Sequence, residues 1–297
     1  MLDAPSQSLL PATFDTLIQI FGASRALGRP WPDPCPPFPA SAIRLVDLRP
    51  REDFERAHIP GSCRLGLDEI DQPALRPPRR RMLLLLGSDA SQTADGARRL
   101  QLLGYTARPI LAPLSNWPGP WAAGTEVSPA WEPSRLAALW KSRLPVGPVL
   151  DLASGSGRTA VFLAMHGAEV TAIDLLPDAI AQASLLAKRH QVTIGLRQGD
   201  VEGNPSCWDG RWGTIHVHRF LDRGGFALLR DRLLPDGLLL YETFIEHQFR
   251  AGRKPTHPSH LLKSGELLQA ARGMEVIDYR EGETEEGDWT ASLVARN

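Results

Sequence analysis

Residues 148 to 167 read PVLDLASGSGRTAVFLAMHG, a run that few folds can accommodate. An apolar segment of strand length, Val149 to Leu152, breaks at Gly155 and Gly157 and resumes at Thr159 to Met165 with the crowded apolar pattern of a buried helix. The glycines have a physical reason. The turn from strand into helix passes through φ > 0, and a Cβ there would also hold a ligand away from the backbone. Strand, tight turn and helix in this order open a parallel α/β sheet, whose ligands bind where the strands end.

The pattern continues downstream. Strands are expected at 169–173, 193–198, 214–218, 237–242, 274–279 and 291–295, with helical stretches between the first five strands. An acidic hairpin, 280–288, makes the last strand antiparallel. Upstream lies a smaller α/β unit with strands at 43–48 and 82–86, a helix starting at 50–56 and another at 90–103 stopped by Gly104. A short amphipathic helix is expected at 14–21. Proline-dense residues 29–40 form a connector, and residues 109–133, with Trp117, Trp121 and Trp131, are expected to pack between two domains. The expected organisation is a helix and connector at 1–40, a first domain at 41–125, a linker and helix at 126–147 and a second domain at 148–297.

Carboxylates close the strands after the glycine turn. Asp174 ends the next strand roughly 20 residues on, where an acid accepts hydrogen bonds from ribose hydroxyls and excludes a 2′-phosphate. Asp200, in LRQGDVEG, ends the third strand, where a carboxylate can accept from an exocyclic adenine amine.

DLASGSGR, AID at 172–174 and QGDVE at 198–202 resemble the Rossmann-like S-adenosylmethionine-dependent methyltransferases. The resemblance covers about half the chain and implies a mostly parallel sheet with an antiparallel last strand. It implies S-adenosylmethionine as cofactor, with Asp151 near the methionine amino end, Asp174 on the ribose and Asp200 on the adenine. Ala153, Ser154, Gly155, Gly157, Leu175, Val201 and Arg219 complete the expected cofactor contacts. Ala153 departs from the family, which has glycine there. Nicotinamide dehydrogenases share the glycine and acid arrangement but close the turn with a further glycine that is missing here.

HVHRFLDR at 216–223 and LYETFIEHQFRAGRKPTHPSHLLKSGEL at 240–267 resemble a subgroup related to tellurite-resistance-type methyltransferases. These strand ends lie nearest the transferable methyl in that likeness, so Arg219, Phe220, Arg223, Glu242, Thr243 and the 248–262 loop are expected to select the acceptor. Arg219 or Arg223 would hold a soft anionic acceptor; His218 or Glu242 would serve as base for an amine or hydroxyl. A structural alternative puts His216 and His218 on opposite faces of the sheet. Asn204-Pro205-Ser206-Cys207-Trp208 follows the wrong strand for an adenine-amino methyltransferase loop, Cys207 has no activating surroundings, and no metal is expected, since His257 and His260 sit in a proline-interrupted loop.

In the first domain, LVDLRPREDFERAHIPGSCRL at 45–65 and LLLLGSDASQTADGARRLQLLGY resemble rhodanese-like domains. In active members the loop after the second of these strands opens with the sulfur-carrying cysteine. Gly87 stands there, and Gln92 stands near the usual arginine, so the resemblance implies a catalytically inactive domain with Cys63 as a structural residue. Such a domain is open to docking of a protein partner, to regulation or to shaping the methyltransferase entrance. The basic run 76–81 reads as a solvated loop. A formal charge of −1 provides no field for nucleic acid or an anionic membrane, and the widely spaced cysteines 35, 63 and 207 fit a reducing, cytoplasmic setting. The expected activity is methyl transfer to a small-molecule acceptor; the competing class is a non-enzymatic cofactor sensor that signals through the first domain.

Overall fold

A computed structural model describes residues 12–15, 43–124 and 129–297, which divide into compact units at 1–132 and 133–297. Most of the expected N-terminal helix, the proline-dense connector with Cys35, and residues 125–128 lie outside the described residues.

The first unit holds a four-stranded parallel sheet in the order β2-β1-β3-β4, built from β1 (Ile43–Asp47), β2 (Cys63–Arg64), β3 (Met82–Leu86) and β4 (Ala107–Pro109). Helix α1 (Arg51–Arg56) buries Phe54, and α2 (Ala90–Leu102) buries Ala97 and Leu100, the i and i+3 positions of its apolar face. Asp89 caps α2 by accepting from the Gln92 N–H at 2.8 Å. Trp117 is buried. It lies in the first unit's own core with Phe14, Leu45, Leu84 and Ile110, and its indole donates to the Pro120 carbonyl at 2.9 Å. Trp131 is fully buried, whereas Trp121 is 44% exposed.

The second unit begins with α3 (Arg135–Trp140), capped by Ser134, whose Oγ accepts from the Ala137 N–H at 3.1 Å. Its Leu136 packs on Leu238, Leu240 and Val294 of the sheet. Seven strands follow: β5 (Val149–Leu152), β6 (Val170–Asp174), β7 (Gly195–Gln198), β8 (Trp212–His218), β9 (Leu233–Phe244), β10 (Glu275–Glu283) and β11 (Trp289–Arg296). Their order is β10-β11-β9-β8-β5-β6-β7, with β11 antiparallel to both neighbours and the pairings from β9 to β7 parallel. The order reverses beside β5, whose neighbours are β6 on one side and β8 on the other, and sheets of this kind bind ligands outside the strand ends at such a reversal.

Helix α4 (Arg158–Met165) joins β5 to β6, α5 (Pro177–Arg189) joins β6 to β7, and α6 (Phe226–Asp231) joins β8 to β9. Short helices α7 (His247–Arg250) and α8 (Glu266–Ala270) lie between β9 and β10. The third crossover differs from expectation. It carries only a 3-10 turn, 205–208, because Asn204-Pro205 leaves too little chain before β8 to nucleate a helix. The expected acidic hairpin is also shorter, since β10 runs on to Glu283; as an edge strand it leaves its charged side chains in water, where strand pairing tolerates them.

Candidate active site

The turn after β5 is stitched to the end of β6. The Ser154 N–H donates to the Ile173 carbonyl at 2.9 Å, and the Gly155 N–H donates to Asp174 Oδ2 at 2.7 Å. The other oxygen of Asp174 accepts from the Leu176 N–H at 3.0 Å, which orients the carboxylate at the strand end. One strand further, the Gly199 N–H donates to the Asp174 carbonyl at 3.0 Å, so Asp200 follows directly. Asp200 is exposed and its Oδ1 accepts from the N–H groups of Glu202 and Gly203. Val201 turns inward at 7% exposure, whereas Leu175 is 56% exposed at the rim. The glycine turn and the two downstream carboxylates are therefore contiguous.

The glycines have separate reasons. Gly155 has φ +55, and a Cβ there would meet nothing within 4 Å, so it would project into open space. Gly157 has φ +72, and its Cβ would come within 2.5 Å of the Ala183 Cβ on α5. Gly155 thus faces open space, while Gly157 lets α4 and α5 approach. Ala153 has φ +52, the left-handed region where the resembled family has glycine.

Behind the turn lies a group of buried polar side chains. Asp151 is 2% exposed, and its Oδ1 lies 2.7 Å from His216 Nδ1. Asp151 Oδ2 and Ser154 Oγ are buried without a hydrogen-bond partner among the described residues. His216 Nε2 lies 2.7 Å from Ser134 Oγ, and the Ser134 N–H donates to Thr159 Oγ1 at 3.0 Å. His216 and His218 share one face of β8, with rings 6.2 Å apart, contrary to the opposite-face reading. Side chains alternate along a strand, so residues two apart point the same way.

At the end of β8, His218 pairs in register with Glu242 on β9, its Nδ1 3.4 Å from Glu242 Oε1. Burial pushes the Glu242 carboxyl above its ordinary range against the opposing pull of Arg219 and His216. Arg219 has φ +57, donates its backbone N–H to the Glu242 carbonyl at 2.8 Å, pairs with Asp288 at 2.7 Å and lies over the Phe244 ring. Arg223 is tied to Glu266 and to the carbonyls of Ser259 and Leu261, so it fastens the loop after β9. Phe220 is partly buried against the core beside Tyr241, whose hydroxyl donates to the Phe220 carbonyl at 3.1 Å, and Thr243 is buried. A cavity of about 250 Å³ includes Glu242, Asp278, Glu281, Glu283, Arg135 and Arg280 in its lining. Burial, aided by the charge of Asp200, raises the Cys207 thiol pKa, which disfavours the thiolate. Ser134 and the His216 to Asp151 contact escaped the sequence reading because they join residues far apart in the chain.

In the first unit, a Cβ at Gly87 would come within 2.4 Å of Thr93 Oγ1 and 3.0 Å of Gln92 Oε1. Gln92 Oε1 instead accepts from the Ser88 N–H at 2.7 Å, closing the loop with the protein's own side chain. Asp47 is fully buried, its carboxylate forked by Arg49 at 2.7 to 3.1 Å, and Arg49 also donates to the Ala57 carbonyl. That clamp fixes the start of the segment carrying His58, which stacks on Phe54 with ring centroids 4.1 Å apart.

Comparison with known families assigns each unit a class. Residues 149–223 match the methyltransferase domain family and residues 38–112 match the rhodanese-like domain family. The chain thus carries a rhodanese-like domain followed by a methyltransferase domain of mixed α/β, mostly parallel architecture. Over 57 residues it is 40% identical to uncharacterized proteins of Mycobacterium bovis and Mycobacterium tuberculosis, a stretch covering 19% of this chain and 21% of each relative. The chain therefore spans about a fifth of the length of these curated relatives. Similar solved structures include TehB from Haemophilus influenzae, with a TM-score of 0.46, 20% identity and coverage of 55% of this chain and 61% of that one. The N-methyltransferase NodS from Bradyrhizobium japonicum has a TM-score of 0.44, 18% identity and coverage of 55% and 92%. Among the described residues, no helix is long and apolar enough to cross a membrane.

Proposed function

We propose that residues 133–297 bind S-adenosylmethionine at the turn after β5 and transfer its methyl to a small-molecule acceptor, and that the rhodanese-like domain carries no sulfur. The observation that carries this reading is the pair of buried, unpartnered oxygens, Asp151 Oδ2 and Ser154 Oγ, beside a glycine whose Cβ direction is open. Buried polar atoms are normally paired, so two orphans at one strand end suit a ligand that brings its own donors. A carboxylate oxygen suits an ammonium. Asp174 at the next strand end suits ribose hydroxyls, and Asp200 lies where an adenine amine would reach.

The bound sulfonium supplies an activated methyl and its own leaving group. The chain's task is to hold an acceptor in line with it, an effect of about 7 to 11 kcal/mol when orientation is complete. Of the acceptor chemistries the sequence leaves open, base-assisted transfer fits best. Arg223 is engaged in holding its loop and Arg219 in pairing with Asp288, whereas Glu242 is partly buried, raised in pKa and paired with His218. A base tuned upward toward working pH accepts a proton more effectively than an ordinary carboxylate. Carboxylates outnumber guanidiniums among the charged residues lining the cavity beside Glu242, which favours a neutral or cationic acceptor over an anion.

In the first unit, Thr93 and Gln92 fill the place where a nucleophilic side chain at position 87 would project, which supports a binding or structural role and leaves room for a protein partner. Calorimetry with S-adenosylhomocysteine, on the wild type and Asp174→Ala, tests the cofactor reading. Binding by the wild type that falls at least about tenfold in the variant is expected. No binding by the wild type refutes it. Binding without methyl transfer to any member of a panel of amines, hydroxyls and thiols would make the chain a sensor.

A further inference from the structure

We propose that His216 is a positioning residue: fixed between Ser134 and Asp151, it occupies one oxygen of Asp151 and leaves the other, Oδ2, aimed at the ammonium of the bound cofactor's amino-acid end. The inference rests on the cofactor reading above and goes beyond it, since neither His216 nor Ser134 touches the expected ligand.

Asp151 and His216 face each other in register on the parallel strands β5 and β8. Ser134, His216 and Asp151 are 3%, 1% and 2% exposed, so water does not compete for their contacts. The donors can be assigned from chemistry. A carboxylate only accepts, so His216 Nδ1 carries a proton and donates to Asp151 Oδ1 across 2.7 Å. Ser134 Oγ accepts from the Ala137 N–H and lies 2.7 Å from His216 Nε2. With these contacts made, Asp151 Oδ2 is the atom among the Ser134, His216 and Asp151 side chains left without a hydrogen-bond partner among the described residues. Ser134 and Asp151 thereby hold the ring between them, and the contact of Nδ1 with Oδ1 sets which carboxylate oxygen stays free.

The same order of contacts, serine to histidine to aspartate, also serves nucleophilic catalysis. Here the serine oxygen is buried and caps α3, so no substrate carbonyl can reach it. Positioning is the role that remains.

The test separates the two ends of the cofactor. S-adenosylhomocysteine carries the amino-acid end; 5′-deoxy-5′-methylthioadenosine has the adenosyl part without it. His216→Leu in the full chain should weaken binding of the first by about tenfold or more and leave the second within about twofold. His216→Asn, whose amide can donate where Nδ1 does, should recover most of the loss. Equal weakening of both ligands, or no weakening of either, overturns the proposal. Should His216→Leu fail to fold, the comparison of the two ligands on His216→Asn and Ser134→Ala decides: a loss larger in Ser134→Ala and confined to S-adenosylhomocysteine supports positioning, and any other pattern overturns it. Failure of the unmodified protein to bind S-adenosylhomocysteine would instead strike the cofactor reading itself.

Discussion

Alanine at Gly157 and alanine at Gly155 should fail in opposite ways, although the residues are two apart in one turn. Both have positive φ, +72 and +55, so each alanine carries a left-handed backbone penalty of about 1 to 2 kcal/mol. At Gly157 the added methyl also meets the Ala183 Cβ at 2.5 Å and its Cα at 3.1 Å, and overpacking of this kind adds about 1 to 3 kcal/mol. Gly157→Ala should therefore lose about 2 to 5 kcal/mol of stability. Gly155→Ala meets no atom within 4 Å and should lose only the backbone part, yet its methyl enters the space assigned to the cofactor. Urea unfolding and calorimetry with S-adenosylhomocysteine separate the effects. Gly155→Ala should weaken binding by at least about tenfold while remaining the more stable variant. Unchanged affinity in Gly155→Ala, or equal stability losses, would refute the division of labour between the two glycines.

Ala153→Gly should raise stability by about 1 kcal/mol, a melting-temperature gain of about 2 to 4 °C, because φ +52 suits glycine better than alanine. Gly87→Cys should not create thiosulfate sulfurtransferase activity and should lower stability by about 1 to 3 kcal/mol, since Thr93 and Gln92 occupy the space its side chain needs. Glu242→Gln should abolish most turnover while stabilising the fold at about pH 8. The folded carboxyl titrates above its unfolded value, so its ionised form destabilises the native state at high pH, and the advantage of glutamine should vanish below the ordinary carboxylate range of about pH 4. Melting curves between these limits that show a constant difference would contradict the assigned burial effect.

Local patterns made much of the architecture legible. β5 and β3 fall where an apolar run ends in a turn, and α2 ends where Gly104 takes φ +83. The two-residue strand β2 was invisible because its definition lies in pairing with Val46 and Asp47, which no periodicity reports. The glycine turn and its acids stand out because one backbone geometry demands them. The buried contacts behind them do not: Asp151 and His216 are 65 residues apart, and Ser134, at the start of the stretch read as linker and helix, carries no local sign of its contact with His216. Trp117 shows the same limit, since its proline-rich neighbourhood suggests a linker while its ring belongs to a core.

The insertion of β11 between β9 and β10 sets the order in which this domain can be made. Until residues 289–296 have emerged from the ribosome, β9 presents an open flank with Leu239, Tyr241 and their neighbours already synthesised, and β10 has no strand to join. Chains stalled or cleaved upstream of Trp289 would display that flank to one another and associate through it. Completion of the sheet therefore waits on β11, the strand that joins β9 to β10 although it follows both in sequence.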